Sequence, residues 1–321
     1  MHLLEEFGKT VNLVKEKFTN NRIIDMYIND NNETPSNLYY VDSFSNGCIN
    51  FSKAFKMDKL DLILILGDRI EILAAAISSA FLQIPIAHIH GGDIAEDSQI
   101  DGQIRHAVTK MAHLHLASNK YSKMRIIQMG EENWRVINAG APGLEVILKE
   151  KLLNRKSTLN KIGFEHNSKY VLYLFHPSIA EKERSGVYFT RILNTIKKLS
   201  LNIVIIYPNN DPGSQLIINE INKYKDNPKI KIYKNLPRKL YLSVMKHAKF
   251  MIGNSSSGII ESSIFMLPVI NVGIRNLNRD CSSNVIFTNY SRISIENSIK
   301  KVLSKEFYEI CKNSKNIYGG E

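Results

Sequence analysis

The chain has 321 residues, a length that predicts two domains at roughly 100 to 200 residues per domain. Hydrophobic residues make up 44% and charged residues 23%, which is a globular composition and excludes a collagen-like or wholly disordered polymer. The formal net charge is +11, but the lysines are dispersed and no basic run is interleaved with aromatic residues. We therefore do not predict nucleic-acid binding, and an anionic small substrate suits the charge equally well.

No membrane span or secretion signal is expected from the sequence. The longest apolar stretch, residues 70–87, contains Glu71, Gln83 and Pro85, whereas a bilayer-spanning helix needs about 20 apolar residues. Residues 1–9 lack a basic start followed by an apolar run, which argues against a signal peptide. The three cysteines are far apart and lack the spacing of a zinc site or a disulfide framework. We therefore expect a cytoplasmic protein.

Short apolar runs alternate with helical stretches in the first half of the chain, which predicts parallel strands joined by crossover helices. The predicted strands are residues 60–66, 85–90, 113–117 and 135–138, and the predicted helices are residues 70–82, 101–112 and 120–129. A polar stretch without sustained periodicity follows at residues 154–169, and we interpret it as a linker. An N-terminal domain of residues 1–153 and a C-terminal domain of residues 154–321 are thereby predicted.

The same alternation begins again in the second half. Strands are predicted at residues 170–175, 202–207, 229–233, 250–253 and 268–272, with helices at residues 184–199, 215–223, 238–247 and 258–265. The predicted fold class is α/β, with two Rossmann-like, doubly wound domains facing a cleft. In such sheets, ligands bind beyond the carboxyl ends of the strands, where loops lead into helices.

Charged side chains follow the first predicted strand, in the segment GDRIE at residues 67–71. Asp68 could act as a general base or bind a ribose hydroxyl, and Arg69 could bind a phosphate. The competing interpretation is that Asp68 only caps the following helix, as Asp often does. This loop taken alone slightly favours the cap.

A denser cluster of titratable residues follows the next predicted strand. Alternation along the strand predicts that His88 and His90 lie on one face, and Asp93 follows two glycines that permit close backbone approach. Two histidines among carboxylates also suit zinc, but their spacing matches no standard motif, so no metal is predicted. Because crowded titratable groups perturb one another, the cluster favours function over helix capping. Its further members are Glu96, Asp97, Asp101, Arg105 and His106.

Two features stand out in the second half. His176 follows a predicted strand, where a lone histidine is more often a packed residue than a catalyst. The segment GNSSSGIIE, residues 253–261, runs from a strand into a helix, and its hydroxyls and free N–H groups predict a phosphate site. Glu261 could then accept hydrogen bonds from ribose hydroxyls. One serine would be enough for a cap, and the segment is neither a Walker loop nor a dinucleotide-binding glycine motif.

Taken together, six segments resemble the UDP-N-acetylglucosamine 2-epimerase family, in particular its hydrolysing branch that makes N-acetylmannosamine-type sugars for sialic or legionaminic acid pathways. They follow one another in order along both predicted domains, so the combination is far more specific than any single segment. They are LGDRIEILAAA (66–76), IPIAHIHGGD (84–93), IDGQIRHAVTKMAHLHLAS (100–118), IIQMGEENWRVINAGAPGLE (126–145), YPNNDPGS (207–214) and GNSSSGIIE (253–261).

The resemblance implies two Rossmann-like domains in a glycosyltransferase-B-like arrangement and a reaction without metal or nicotinamide. In the family, a base removes the proton from sugar C2 as UDP leaves C1, water adds to C1, and a proton returns to the opposite face of C2. Family members also imply a UDP-sugar substrate and a homo-oligomer. Catalytic roles are implied for Asp68, Asp101 and His176, and a proton role for His90, Asp93 or both. Substrate contacts are implied for Arg69, Arg105, Ser255, Ser256, Ser257 and Glu261, and more weakly for Arg275 and Arg279.

Some alternatives stay open at the level of sequence. The resemblance aligns the start of the chain within the family's first domain, after an opening strand and helix, and aligns its end before a final helix. On this alignment we expect an exposed sheet edge, an uncovered core face, and low solubility or activity. A non-hydrolysing 2-epimerase and an inactive, truncated nucleotide-binding remnant are the competing functions. The sequence does not choose between UDP-N-acetylglucosamine and UDP-diacetylbacillosamine, which differ at sugar C4 and C6.

Overall fold

A computed structural model describes residues 11–27, 37–94, 99–209 and 211–319 of the protein. Within these ranges the chain forms two compact units. The first comprises the described residues up to Asp93 together with Gln99–Gly140, and the second comprises Ile94 and Ala141–Gly319. Each unit contains one parallel β-sheet packed against helices, so the predicted α/β fold class is confirmed.

The first unit has a four-stranded parallel sheet with the strand order β1-β2-β3-β4. The strands are β1 (Ile63–Leu66), β2 (Ile86–Ile89), β3 (Leu114–Ala117) and β4 (Val136–Asn138), and the helices are α1 (Val11–Lys17), α2 (Asn37–Asp58), α3 (Ile70–Phe81), α4 (Gln99–Met111) and α5 (Lys120–Gln128). All four strands lie inside their predicted ranges. The carboxyl ends of these strands therefore lead into the loops that carry the predicted site residues of this unit.

Strand β1 lies at the edge of this sheet and has one buried and one exposed side. Ile63 and Ile65 are buried in a core formed with α3, whereas Leu64 and Leu66 are 59% and 54% exposed. Parallel sheets normally have both faces covered, so exposed leucines in alternation are unusual. We call Leu62, Leu64 and Leu66 the β1 leucine face, and it is uncovered in the part of the chain that the structure describes.

The second unit has a six-stranded parallel sheet with the order β10-β9-β8-β5-β6-β7. Its strands are β5 (Tyr170–Leu174), β6 (Asn202–Ile206), β7 (Ile230–Tyr233), β8 (Met251–Gly253), β9 (Val269–Val272) and β10 (Val285–Thr288). Its helices are α6 (Pro142–Lys149), α7 (Arg155–Lys161), α8 (Ser185–Ile196), α9 (Ser214–Asn222), α10 (Arg238–His247), α11 (Ser257–Ile260), α12 (Arg292–Val302) and α13 (Lys305–Lys312). The strand order reverses between β5 and β8, and ligands of doubly wound folds bind beside such a reversal.

The interpretation of residues 154–169 as a linker is wrong. Helix α7 lies in this stretch, and Thr158, Leu159 and Ile162 are fully buried where it packs against α10. The stretch belongs to the core of the second unit because a few apolar residues are enough to dock a helix of two turns. The compact units divide between Gly140 and Ala141, and the boundary at residue 153 stays a prediction for the domains.

Other elements differ from the sequence prediction in extent. The predicted helix at residues 258–265 is two short pieces, α11 and the 3₁₀ turn Ser262–Phe265. Strand β10 and helices α1, α2, α12 and α13 were not predicted. Among the described helices, none has the length and apolar character that would span a membrane.

Candidate active-site residues

Asp68 lies two residues beyond β1 and forms an ion pair with Arg105 of α4, through one carboxylate oxygen and the guanidinium Nη2. The side chains are 21% and 10% exposed, so the pair is largely shielded but still reaches the surface. The Nη1 of Arg105 donates to the backbone carbonyl of Asp93 at 2.8 Å. Arg105 thus ties the loop after β1 to the loop after β2, a contact that charge assistance strengthens.

Asp68 does not cap the helix that follows it. Helix α3 begins at Ile70, and its N-cap residue is Arg69, whose side chain makes no cap hydrogen bond. The simpler interpretation of Asp68 as a cap is therefore wrong. Arg69 is exposed and donates to Glu71 at 3.4 Å, and Glu71 also accepts a hydrogen bond of 2.8 Å from Tyr27.

The loop after β2 holds His90 and Asp93 in different environments. Strand β2 ends at Ile89 and His90 has φ +65°, so the alternation that would place His88 and His90 on one face stops before His90. Asp93 is 1% exposed, whereas His90 is half-buried. Asp101 is half-buried in the first turn of α4. The proton roles of these residues stay predictions, and Glu96 and Asp97 lie outside the described residues.

In the second unit, His176 follows β5 and is held by its backbone and by its ring. Its backbone N–H donates to Asn254 Oδ1 at 2.7 Å, and its carbonyl accepts from Asn254 Nδ2 at 2.9 Å. The ring Nδ1 accepts from the backbone N–H of Asn209 at 3.0 Å. Burial and, to a smaller extent, the positive charge of Arg275 lower the pKa of His176 to about 3. The ring is therefore neutral near pH 7, and its proton lies on Nε2.

Asn254 is a functional candidate that the sequence prediction missed. It is fully buried, and its backbone carbonyl accepts hydrogen bonds from Arg275 Nη1 at 3.0 Å and from Asn276 Nδ2 at 2.8 Å. Asn254 therefore connects His176, for which the resemblance implies a catalytic role, with Arg275, for which it implies a weaker substrate contact. The only signal in the sequence is its position directly after the predicted strand and beside Ser255, Ser256 and Ser257, which we call the serine loop.

Gly253 lets Asn254 reach His176. It has φ +135°, and a Cβ atom there would lie 1.9 Å from the carbonyl oxygen of Leu174 in β5. Only glycine fits this conformation and this close approach. The two strands consequently end side by side, with Asn254 beyond β8 and His176 beyond β5.

The serine loop follows immediately. Ser255 Oγ lies 3.1 Å from Ser257 Oγ, and Ser257 Oγ also contacts the hydroxyl of Tyr241 in α10. Ser256 is the N-cap residue of α11 and makes no side-chain cap bond. Helix α11 has only four residues, so its dipole is weaker than the sequence prediction assumed. A phosphate here would be bound mainly by hydroxyls and free N–H groups.

Glu261 comes directly after α11, and its two carboxylate oxygens differ. Oε1 accepts from Arg238 Nη2 at 2.6 Å, whereas Oε2 is buried and has no hydrogen-bond partner in the described part of the chain. Arg238 was not predicted as a site residue. A buried acceptor without a donor is costly, and a ligand hydroxyl would satisfy it. Arg279 donates to Asn276 Oδ1 at 3.5 Å.

The described residues contain no group of three or more His, Cys, Asp or Glu side chains arranged to hold a metal ion. Within the first unit, the structure brings together Asp68, Arg105 and the backbone of Asp93. Within the second unit, it brings together His176, Arg275 and the serine loop through Asn254. The roles of all these residues in binding or catalysis stay predictions.

Comparison with known proteins adds the family. A sequence model of the family described as UDP-N-acetylglucosamine 2-epimerase matches residues 1–321. The chain is 34% identical over 306 residues to UDP-N,N'-diacetylbacillosamine 2-epimerase (hydrolyzing) of Legionella pneumophila, a match covering 95% of this chain and 80% of that protein. It is also 34% identical over 312 residues to GDP/UDP-N,N'-diacetylbacillosamine 2-epimerase (hydrolyzing) of Campylobacter jejuni, covering 95% of this chain and 79% of that protein.

Solved structures share the fold. The crystal structure of UDP-GlcNAc 2-epimerase from Neisseria meningitidis bound to UDP-GlcNAc superposes with a TM-score of 0.75 at 18% identity. The superposition covers 90% of this chain and 80% of that one.

Proposed function

The chain belongs to the UDP-N-acetylglucosamine 2-epimerase family, and on this basis we propose that it is a hydrolysing 2-epimerase acting on a UDP-linked 2-acetamido sugar. The products would be UDP and the free sugar epimerised at C2, N-acetylmannosamine or its diacetylbacillosamine analogue. The two 34%-identical relatives carry hydrolysing 2-epimerase names, which supports hydrolysis over simple epimerisation.

The observation that carries the proposal is the Asp68–Arg105 pair at the carboxyl end of β1. Asp68 has no capping role, so a shielded carboxylate at this position suits proton transfer at sugar C2. When the C2–H bond breaks, its electron pair forms the C1=C2 bond of a glycal and the C1–O bond to UDP breaks. Water then adds its oxygen to C1, and a proton is delivered to the opposite face of C2. His90, Asp93 and Asp101 are the candidates for this second proton transfer.

We assign the UDP moiety to the second unit. The neutral His176 has a proton on Nε2 and can donate a hydrogen bond to the diphosphate without adding a charge. Ser255, Ser256 and Ser257 supply hydroxyls for the same group, and Glu261 Oε2 is an acceptor suited to a ribose hydroxyl. As UDP leaves, negative charge develops on its phosphate, where fixed donors and the Arg275 charge stabilise it. Arg69 and Arg279 are further candidates for substrate contacts.

Proton NMR of the purified chain with a UDP-sugar in deuterated water tests the proposal. UDP-N-acetylglucosamine and UDP-diacetylbacillosamine are assayed in parallel, because they differ at C4 and C6. We expect UDP to be released together with the free 2-epimer, deuterated at C2. A UDP-linked 2-epimer as the product would instead identify a non-hydrolysing epimerase. Binding of UDP without turnover of either sugar would favour the inactive nucleotide-binding alternative.

We also propose a homo-oligomer, because the family resemblance implies one. Size-exclusion chromatography with light scattering gives the mass directly, for comparison with the 36.6 kDa of one chain. A single-chain mass across the working concentration range would contradict this part of the proposal.

A further inference from the structure

His88 is a fully buried histidine in β2 that the proposed reaction does not use. Its Nε2 lies 2.8 Å from the carbonyl oxygen of Gly67, and its Nδ1 lies 3.2 Å from Thr109 Oγ1 in α4. A carbonyl oxygen only accepts hydrogen bonds, so Nε2 must donate the first of these bonds. The buried ring thereby joins the loop after β1 to helix α4.

Both contacts of His88 lead to the Asp68–Arg105 pair. Gly67 directly precedes Asp68 in the chain. Thr109 lies one helical turn after Arg105, and its Oγ1 is 2.9 Å from the Arg105 carbonyl oxygen. The ion pair between Asp68 and Arg105 closes this path into a continuous set of contacts, which we call the His88 network. The two members of the pair are therefore connected a second time, through two buried hydrogen bonds of Thr109 and the part-buried bond from His88 to the Gly67 carbonyl.

The His88 network contains few protons that can form its hydrogen bonds. Burial lowers the pKa of His88 to about 4, so the imidazole is neutral near pH 7 and its one proton lies on Nε2. Nδ1 is then an acceptor, and Thr109 has a single hydroxyl proton to share between Nδ1 and the Arg105 carbonyl. The Thr109 hydroxyl is the donor between His88 and Arg105 in this network. Valine has nearly the same shape but cannot donate a hydrogen bond.

Gly91 shows how closely the neighbouring loop packs on the same bond. A Cβ atom at Gly91 would lie 2.8 Å from Thr109 Oγ1 and 3.0 Å from His88 Nδ1. The loop after β2, which carries His90 and Asp93, therefore rests directly on the His88–Thr109 contact. Three chain segments with predicted site residues, the loops after β1 and β2 and helix α4, therefore meet around the His88 side chain.

We propose that Thr109 and His88 are positioning residues that fix the loop carrying Asp68 against the helix carrying Arg105, so that Asp68 is correctly placed for proton transfer at C2. This proposal rests on the proposed function for its catalytic consequence. Neither residue touches the substrate, since His88 and Thr109 are both fully buried. Misplacement of a catalytic group by about 1 Å can cost up to roughly a hundredfold in rate, so the expected effect is measurable.

The test compares Thr109→Val with Thr195→Val. Thr195 is a buried threonine in α8 whose Oγ1 also donates to the carbonyl one turn earlier, Arg191, at 2.9 Å. Both substitutions remove the same hydrogen bond within a helix, but only Thr109 has a histidine partner. We expect Thr109→Val to lower kcat about tenfold with little change in KM, and Thr109→Ser to restore most of it. Thr195→Val is expected to leave kcat within a factor of about two.

A second measurement does not depend on turnover. Hydrogen exchange of the backbone amides at residues 67–69 is expected to accelerate in Thr109→Val and not in Thr195→Val, after correction for any loss of global stability. Unchanged exchange at these amides would overturn the positioning role, whether or not the wild-type chain turns over a UDP-sugar. Equal losses of kcat in Thr109→Val and Thr195→Val would also overturn it. Faster exchange in a chain without UDP-sugar turnover would support the positioning role and reject the proposed function.

Discussion

The carboxylate of Asp68 and the guanidinium of Arg105 carry opposite charges and have different roles in the proposed reaction. A base must accept the C2 proton, whereas the cation holds the base in place. Substitution of Asp68 by asparagine preserves the shape and retains an oxygen that can accept from Arg105, but removes the basic group. A change confined to proton transfer is therefore separable from a change in binding or folding.

We predict that Asp68→Asn abolishes turnover and leaves UDP affinity nearly unchanged. Turnover is measured as UDP release, and affinity is measured by calorimetry with UDP. Asp61→Asn is the matched control, because Asp61 is an exposed acid just before β1. Turnover at the wild-type rate in Asp68→Asn would remove Asp68 from the catalytic set.

Asn254 gives a prediction about binding. Asn254→Asp keeps the acceptor for the His176 N–H but replaces the donor with an oxygen that faces the His176 carbonyl. An unpaired buried carbonyl costs about 1 to 3 kcal/mol, and the added negative charge beside it costs more. We expect lower stability to urea and UDP binding weakened at least about tenfold. Asn219→Asp on the exposed surface of α9 should change neither. An unchanged UDP affinity in Asn254→Asp would contradict a role of Asn254 in holding His176 for UDP binding.

The sequence predicted site residues where a pattern is local and failed where contacts are distant. Asp68, His176 and the serine loop follow strands, and strand ends are recognisable from apolar runs that stop at polar residues. Asn254 binds the His176 backbone across 78 residues, and Thr109 meets His88 across 21 residues. No periodicity or spacing encodes such pairings, so residues that hold other residues were missed.

At the level of single elements, the contact between β5 and β8 is unusually intolerant of change. We predict that Gly253→Ala destabilises the second unit by more than the roughly 1 kcal/mol typical of a point substitution, because its Cβ would meet the Leu174 carbonyl at 1.9 Å. Gly143→Ala is the matched control, since the nearest atom to a Cβ there is 3.9 Å away. Urea unfolding of both variants measures the difference. Equal midpoints would show that β8 can move away from β5 at little cost.

In contrast to Gly253→Ala, a substitution on the β1 leucine face is expected to leave stability unchanged. Leu64 is 59% exposed, so Leu64→Thr gives up little buried surface and keeps a residue suited to strands. We predict unchanged stability and less aggregation, measured by urea unfolding and light scattering. Ile65→Thr, at a neighbouring position that is only 5% exposed, should instead lose roughly 2 kcal/mol. A large loss of stability in Leu64→Thr would mean that this face is covered in solution.

The elements that the sequence missed have physical explanations. Helix α2 is rich in Asn, Ser and aromatic residues, which have poor intrinsic helix propensity. It forms because it packs closely on α3, where a Cβ atom at Gly47 would lie only 3.3 Å from Ala74. Helix α7 was likewise not recognised, because the residues around it in the sequence are polar. Local preference favours neither helix, and tertiary packing decides both.

On the scale of the whole molecule, two neutral histidines, the fully buried His88 and the half-buried His176, predict how stability depends on pH. The folded pKa values of His88 and His176 are about 4 and about 3, against a reference value of 6.5. Between these values the unfolded chain binds more protons, so stability is complete above about pH 6.5 and falls as the pH decreases. At about pH 5, we expect each histidine to cost on the order of 2 kcal/mol relative to pH 8.

Urea unfolding at about pH 8 and pH 5 measures this dependence. In His88→Gln, the difference between the two conditions should shrink by roughly 2 kcal/mol, whatever the absolute stability of the variant. His166→Gln is the control, because His166 is an exposed residue outside both cores. Stability that is constant between the two pH values would mean that these rings take up protons in the folded chain as readily as in the unfolded chain.

The strand order of the second sheet also governs when a working site can form during folding. Strand β5 can pair with β6 soon after both have been synthesised, but its other neighbour is β8, and His176 and Asn254 are separated by 78 residues. Closing so long a loop is entropically costly, and parallel pairings of this kind form slowly. Helical signal should therefore recover early in refolding, while affinity for UDP returns late, when β8 docks. A chain released from the ribosome before β8 has been synthesised would contain most of its secondary structure and still be unable to bind UDP.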